Sequence, residues 1–211
     1  MYELPMFPLE QAVLPTSVIP LHIFEPRYRA FAADVTPRPE PEFGIAPIER
    51  GREVGGDDVR ADVGIVARVV QAEEFPDGRW AVVSIATRRI RVIEWLSDDP
   101  YPRAMVEDWP DEDLAGYLEQ IDAVDVTALH QAVERVSDAV GRLQPERPAP
   151  KADLGPDPAH ATWQAAVFAQ LNAFDAMALL QAPAAGERLD LATTLIRERA
   201  EVLEALANER G

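Results

Sequence analysis

The chain has 211 residues, a formal net charge of −17 and no cysteine. Disulfides and thiolate metal sites are thereby excluded, and a surface this acidic repels nucleic acid and anionic lipid. Apolar residues make up 47% of the chain, enough for a packed core, yet no stretch approaches the roughly 18 uninterrupted apolar residues of a membrane span.

The N-terminus, Met1-Tyr2-Glu3-Leu4-Pro5, carries no basic leader, so a cytoplasmic location is expected. Pro5, Pro8, Pro15 and Pro20 stiffen the segment that follows, which is expected to run extended across a sheet. A short helix starts after Pro26 and runs through Tyr28, Phe31 and Ala32 to about Val35. Phe24, Tyr28 and Phe31 are expected to place aromatic mass on one side of it, against the sheet. Pro37, Pro39 and Pro41 forbid its continuation. Phe43 to Ala46 reads as a strand, and Gly51 to Asp58 as a polar loop. Residues 62–73 and 79–96 are rich in Val, Ile and Trp, and Phe75-Pro76-Asp77-Gly78 between them predicts a turn, hence a long antiparallel hairpin. Arg103 to Glu107 reads as one further strand.

The second half is helical in pattern. Val126, Leu129, Val133, Val136, Val140 and Leu143 are spaced as a helix seam. Gln144 to Pro158 is a Pro-rich loop. Trp163, Val167, Phe168, Leu171 and Phe174 mark another helix, and Phe174 to Leu180 begins a short one that stops near Pro183. Leu189 to Leu206 marks a last helix of about 20 residues, or roughly 30 Å. The chain is therefore expected to divide near Trp109-Pro110, into a β-rich domain over 1–109 and a helical bundle over 110–211.

Catalytic arrangements are hard to assemble from these residues. The three histidines, His22, His130 and His160, are scattered without metal-ligand spacing, so no metal or other cofactor is expected. His22 sits in an apolar run and reads as a hydrogen-bonded core histidine. Lys151, the only lysine, lies among prolines and follows no glycine, which rules out a P-loop and leaves no desolvated base for a Ser–Lys dyad. None of the serines sits in a nucleophile elbow, and the carboxylate pairs Asp98-Asp99 and Asp111-Glu112-Asp113 read as loops or helix starts. In Arg88-Arg89-Ile90-Arg91, strand alternation puts Arg89 and Arg91 on one face and Arg88 with Ile90 and Val92 on the other. A charge on a core-facing row must be paired, and Glu25 is the first candidate partner of Arg88.

Several segments carry more than pattern. Leu4-Pro5-Met6-Phe7-Pro8-Leu9, Leu14-Pro15 and Leu21-His22-Ile23-Phe24-Glu25-Pro26-Arg27-Tyr28 resemble the opening signature of the Lon protease N-terminal domain family. Phe43-Gly44-Ile45, Gly64-Ile65-Val66-Ala67, Asp77-Gly78-Arg79, Arg88-Arg89-Ile90-Arg91-Val92, Pro100-Tyr101-Pro102-Arg103-Ala104 and Phe174 to Gln181 fall in the family's order, so the resemblance covers nearly the whole chain. The family usually has Gly where Ala86 stands and an aromatic where Ile90 stands. The resemblance implies an α+β fold, a PUA-like β pseudo-barrel followed by an α-helical bundle. It also implies a stand-alone, non-catalytic module without the ATPase and Ser–Lys protease domains of Lon, one that recognises unfolded or tagged polypeptides as an adaptor or holdase beside a protease or chaperone. His22, Phe24, Glu25, Pro26, Arg27, Tyr28 and Arg88 are then signature positions with mainly structural roles. Polypeptide binding needs exposed apolar surface, expected as a groove at the junction of barrel and bundle, lined by some of Trp80, Trp95, Tyr101, Trp109 and Tyr117. The alternative, an RNA-binding PUA-like protein, is disfavoured by the charge and by the absence of aromatics among the arginines.

Overall fold

The structure is a computed structural model that describes residues 1–50, 59–112, 116 and 123–210. The loop expected over Gly51 to Asp58 lies outside these residues. The chain forms two compact units, Met1–Pro110 and Asp111–Gly211, and its class is α+β: a mainly antiparallel sheet unit precedes a helical one.

The first unit contains β1 (Tyr2–Pro5), β2 (Val18–Ile23), α1 (Pro26–Val35), β3 (Glu42–Ile45), β4 (Ile48–Arg50), β5 (Val59–Arg60), β6 (Val63–Glu74), β7 (Trp80–Trp95) and β8 (Arg103–Asp108). The main sheet has six strands in the order β1-β8-β7-β6-β3, with β2 also paired to β7. The hairpin expected at Phe75 to Gly78 joins β6 and β7; the Gly78 N–H donates to the Phe75 carbonyl at 2.8 Å, and Gly78 takes φ +78°. β6 lies along one edge of β7. The other edge is divided between β2, opposite residues 80–85, and β8, opposite residues 90–95.

A bulge at Thr87 decides which residues share a face. Ala86 opposes Ala67, yet Arg88 opposes Val66, so Thr87 is an extra residue and the alternation resets across it. Ile90 and Val92 therefore face away from Val82 and Ala86, although all four have even numbers. Ile90 and Val92 join Leu4, Met6, Ala46, Val66, Ala104 and Val106 in one buried cluster. On the other face Phe43, opposite Ala67, meets Phe31 of α1 edge-on with ring centroids 5.2 Å apart.

The N-terminal segment is more regular than its prolines suggest, because it supplies two strands of this sheet. Proline is tolerated where its missing N–H would face away from the partner strand. The Ala86 N–H donates to the Ser17 carbonyl. By antiparallel alternation Ile19, Leu21 and Ile23 then exchange bonds with β7, while Val18, Pro20 and His22 turn their backbone groups outward.

The helical unit contains α2 (Ala123–Leu143), α3 (Pro158–Ala169), α4 (Ala173–Gln181) and α5 (Ala185–Arg210) among the described residues. Leu129, Val133 and Val136 of the α2 seam are buried. Asp157 caps α3 by accepting from the Ala159 N–H, with Pro158 in the first turn. The helix expected through Leu171 and Phe174 stops earlier, because Gln170 takes the left-handed conformation at φ 51°. Asn172 then caps α4 through the Phe174 and Asp175 N–H groups. The last helix reaches 26 residues, longer than its apolar spacing predicts.

Among the described residues of this unit one charged side chain is fully buried, that of Arg188 on α5. Its guanidinium binds both carboxylate oxygens of Asp111 and lies 4.2 Å from the Trp163 ring centroid. Removing one partner of a buried pair leaves an uncompensated charge.

Two outcomes are expected. Asp111→Ala lowers stability by about 3–5 kcal/mol in denaturant melts, and an added Arg188→Met recovers part of the loss. Gly64→Ala is also destabilising, by about 1–3 kcal/mol, because a Cβ there would lie 2.3 Å from the Ile45 carbonyl oxygen, a backbone atom that cannot rotate aside.

Candidate functional site

The first unit carries an apolar cleft of about 330 Å³ between the N-terminal segment, β2 and the start of α1. Phe7, Leu9, Ile19, Leu21, Ile23 and Tyr28 supply most of its walls. The Phe7 N–H donates to the Gly44 carbonyl and the Leu9 N–H to that of Ala46, which pins this segment beside β3. Phe7 and Tyr28 stack with centroids 4.2 Å apart at 33°. The Arg27 guanidinium lies 4.6 Å from the Tyr28 centroid and is held by Glu25 at 3.3 Å. Pro26 opens α1, so the chain turns directly from the strand into the helix that carries Tyr28.

His22 and Phe24 stand at the rim, with rings 6.4 Å apart. Phe24, just past the end of β2, is 56% exposed, and Val18 at its start is 65% exposed. Both placements correct the sequence reading. His22 is exposed rather than a core histidine, and Phe24 does not pack with the aromatic side of α1. The reason is register: Ile19 and Ile23 take the buried row of β2, which leaves Val18, Pro20, His22 and Phe24 on the outward row. Tyr28 and Phe31 are buried as expected.

Among the described residues β2 pairs with β7 alone, so its other edge is open. Pro20 removes the central donor from that edge, a common device against indiscriminate strand addition. The edge thus offers the N–H groups of Val18 and His22 but no continuous ladder. Binding here must draw on the apolar cleft more than on main-chain pairing.

Of the five residues expected to line a groove, the four that are described are not assembled into one. Trp80 and Trp95 are half-buried at opposite ends of β7, and Arg60 lies over the Trp95 ring at 4.9 Å. Tyr101 is 5% exposed; its hydroxyl donates to Asp34 at 2.9 Å, and its ring meets Phe31 edge-on at 5.5 Å. Trp109 is engaged by the guanidinium groups of Arg89 and Arg91, at 4.5 and 4.0 Å. Tyr117 lies outside the described residues.

The shared contact with Trp109 puts Arg89 and Arg91 on one face, in agreement with strand alternation. Arg88 is paired with a carboxylate, but with Glu42 and not Glu25, which is held by Arg27 instead. Arg88 donates two bonds of 2.9 Å to Glu42, one of 2.9 Å to Asp108 and one of 3.2 Å to the Tyr2 hydroxyl. Tyr2 in turn donates to Asp108 at 2.7 Å. This network ties β1, β3, β7 and β8 together beside the Ile90 cluster. The bonds to Glu42 are the chief cause that raises the Arg88 pKa. Burial pushes the Tyr2 hydroxyl up, helped by its bond to Asp108. Desolvation works against the Asp108 charge, yet the bonds from Tyr2 and Arg88 hold its carboxyl below the ordinary value.

Among the described residues no three His, Asp or Glu side chains converge as a metal site, and no helix is long and apolar enough to cross a membrane. His130, Ser137 and Lys151 line one cleft of the helical unit. Ser137 Oγ donates to the Pro150 carbonyl at 2.5 Å, and Lys151 is exposed, so the pair lacks the desolvated amine that a Ser–Lys dyad requires.

The α+β fold is shared with solved domains from the N-termini of Lon proteases. The crystal structure of a Lon N-terminal domain protein from Xanthomonas campestris matches with a TM-score of 0.60 and 24% identity, over 90% of this chain and 96% of that one. The N-terminal domain of Mycobacterium avium complex Lon protease matches with a TM-score of 0.61 and 16% identity, over 92% and 98% of the two chains. In sequence, the chain is 30% identical to Lon protease of Anaeromyxobacter dehalogenans over 72% of its length. It is 26% identical to Lon protease 2 of Myxococcus xanthus over 95% of its length. The chain spans only 17% and 24% of those two proteins. The family model described as the ATP-dependent protease La (LON) substrate-binding domain covers residues 3–198, and this chain belongs to that family.

A pH dependence follows from Asp108. Its folded pKa is depressed, so its contribution to stability is complete above the unfolded value of about 3.9 and is lost as pH falls through the folded value. The Asp108 side chain is 51% exposed, so the effect should stay below about 1 kcal/mol. Urea melts of wild type and Asp108→Asn should differ at neutral pH and converge in acid.

Proposed function

We propose that this chain is a non-catalytic polypeptide-recognition module, acting as an adaptor or holdase, and that the cleft beside β2 takes apolar side chains of an unfolded or tagged polypeptide. The observation that carries this reading is the coincidence of three things at one place: an apolar cleft, the exposed Phe24 at its rim and an open strand edge. Unfolded chains differ from folded ones chiefly in offering exposed apolar side chains beside unpaired backbone, and this surface is complementary chiefly to the former, with the two N–H groups of the edge left for the latter. A shallow, mostly apolar site of this size accepts many side chains weakly, as a module that recognises the unfolded state requires. Pro20 favours that mode over strand addition, which would also recruit other copies of the same edge.

Absence of catalysis is supported by the chemistry available: one lysine, exposed, and three histidines without metal-ligand spacing. The relatives' names identify proteases, and the partner proposed here is a protease or chaperone that receives the captured chain. The RNA reading finds less support. Arg88 is committed to Glu42 and Asp108, and Arg89 is 4% exposed.

Fluorescence anisotropy with a labelled, reduced and carboxymethylated globular protein tests the site. Phe24→Asp should weaken binding about tenfold, a loss of about 1.4 kcal/mol, with unchanged circular dichroism. Trp80→Ala and Trp109→Ala should bind as wild type. Wild-type affinity in Phe24→Asp would move the site elsewhere, and no binding by wild type would overturn the reading.

A further inference from the structure

The helix α5 carries two apolar stripes. Leu189, Ala192, Ile196, Ala200, Leu203 and Ala207 form the buried one, inside the helical unit. Leu191, Leu195, Val202 and Leu206 form the other, about 22 Å from end to end at 1.5 Å per residue. Among the described residues this second stripe is covered only in part: Val202 is 53% exposed, Leu206 is 42% exposed, and Leu191 and Leu195 are half-buried. Beside it a cleft of about 400 Å³ is lined by Leu171, Leu195, Arg199 and Val202 among others. Phe174, 81% exposed, stands next in the chain to Asp175 of the same lining. Glu198 and Arg199 interrupt the stripe at its middle, and the Arg199 Nε is buried without a hydrogen-bond partner among the described residues.

We propose that a second copy of this chain covers the stripe, with the two α5 helices antiparallel about a two-fold axis between Glu198 and Arg199. The order of residues along the helix is the reason. That axis sets Glu198 opposite Arg199 of the second copy, Leu195 opposite its Val202, Leu191 opposite its Leu206, and Glu187 opposite its Arg210. Every apolar residue of the stripe meets an apolar one, and every charge meets its opposite, twice over by symmetry. A parallel pairing in register fails the same comparison, because it sets Glu198 against Glu198 and Arg199 against Arg199. An unrelated partner would have no reason to require a stripe that reads as its own complement.

The contact is small beside the roughly 800 Å² per partner of a standard interface. Each copy also carries a formal charge of −17, which opposes association. A dimer with micromolar dissociation constant is therefore expected, strengthened by moderate salt that screens the overall repulsion.

Sedimentation equilibrium of the full chain over the micromolar range tests this, with circular dichroism to confirm folding. Wild type should dimerise. Glu198→Arg and Arg199→Glu should each weaken the dimer by about tenfold or more, since each creates two like-charge contacts. The double variant E198R/R199E should dimerise again. An equimolar mixture of the two single variants should form a heterodimer, because one copy then presents two arginines and the other two glutamates. A strictly monomeric wild type overturns the proposal. So does a dimer indifferent to the single reversals, or one that neither the double variant nor the mixture restores.

Discussion

The sixteen-residue strand β7 must satisfy its backbone hydrogen bonds on both edges, and that requirement arranges the first unit. One edge goes to β6 through the hairpin. The other is too long for any single remaining strand, so β2 covers its first part and β8 its last. The bulge at Thr87 falls between these two partners and turns the second part of the strand over relative to the first. Two apolar faces result from one strand. One holds Ile90 and Val92 with β1 and β8, and the other holds Ala86 beneath Phe43 and α1.

The candidate site is a consequence of that division. β2 shares one edge of β7 with β8 and, among the described residues, pairs with no other strand, so its outer edge is open. The turn from β2 into α1 at Pro26 then brings Tyr28 back against Phe7. The cleft is thus enclosed by two segments distant in sequence, Phe7 to Leu9 and Ile19 to Tyr28, both anchored to the sheet. Phe31 lies behind it at the centre of an aromatic group that includes Phe7, Tyr28, Phe43 and Tyr101. A rim held on so packed a base can present Phe24 without the strand itself moving.

The helical unit solves a different problem. Its interior is rich in alanine, with Ala132, Ala139, Ala192 and Ala200 almost without exposure, so its helices approach closely and each buries little apolar area. Arg188 fills part of that interior through its stem and its stacking on Trp163, and Asp111 supplies the charge that makes the burial tolerable. A helix as long as α5, packed on one stripe alone, leaves the rest of its circumference to solvent or to another molecule.

The sequence by itself determined the α+β class, the family, the β6–β7 hairpin, α1 and the α2 seam. All of these rest on local signals: periodicity, Pro and Gly at turns, and a contiguous signature. The same signature contained most of both walls of the cleft, in Leu4 to Leu9 and Leu21 to Tyr28, but nothing in a linear string says that the two meet. Only the tertiary structure decided which row of Val18-Ile19-Pro20-Leu21-His22-Ile23-Phe24 faces the core. That run is apolar on both rows, so alternation carries no information there, and pairing with β7 chose the register. It likewise decided the partner of Arg88. Glu42 is far from Arg88 in sequence and comes within reach because β3, β6 and β7 lie side by side, a fact of sheet order that no local pattern encodes.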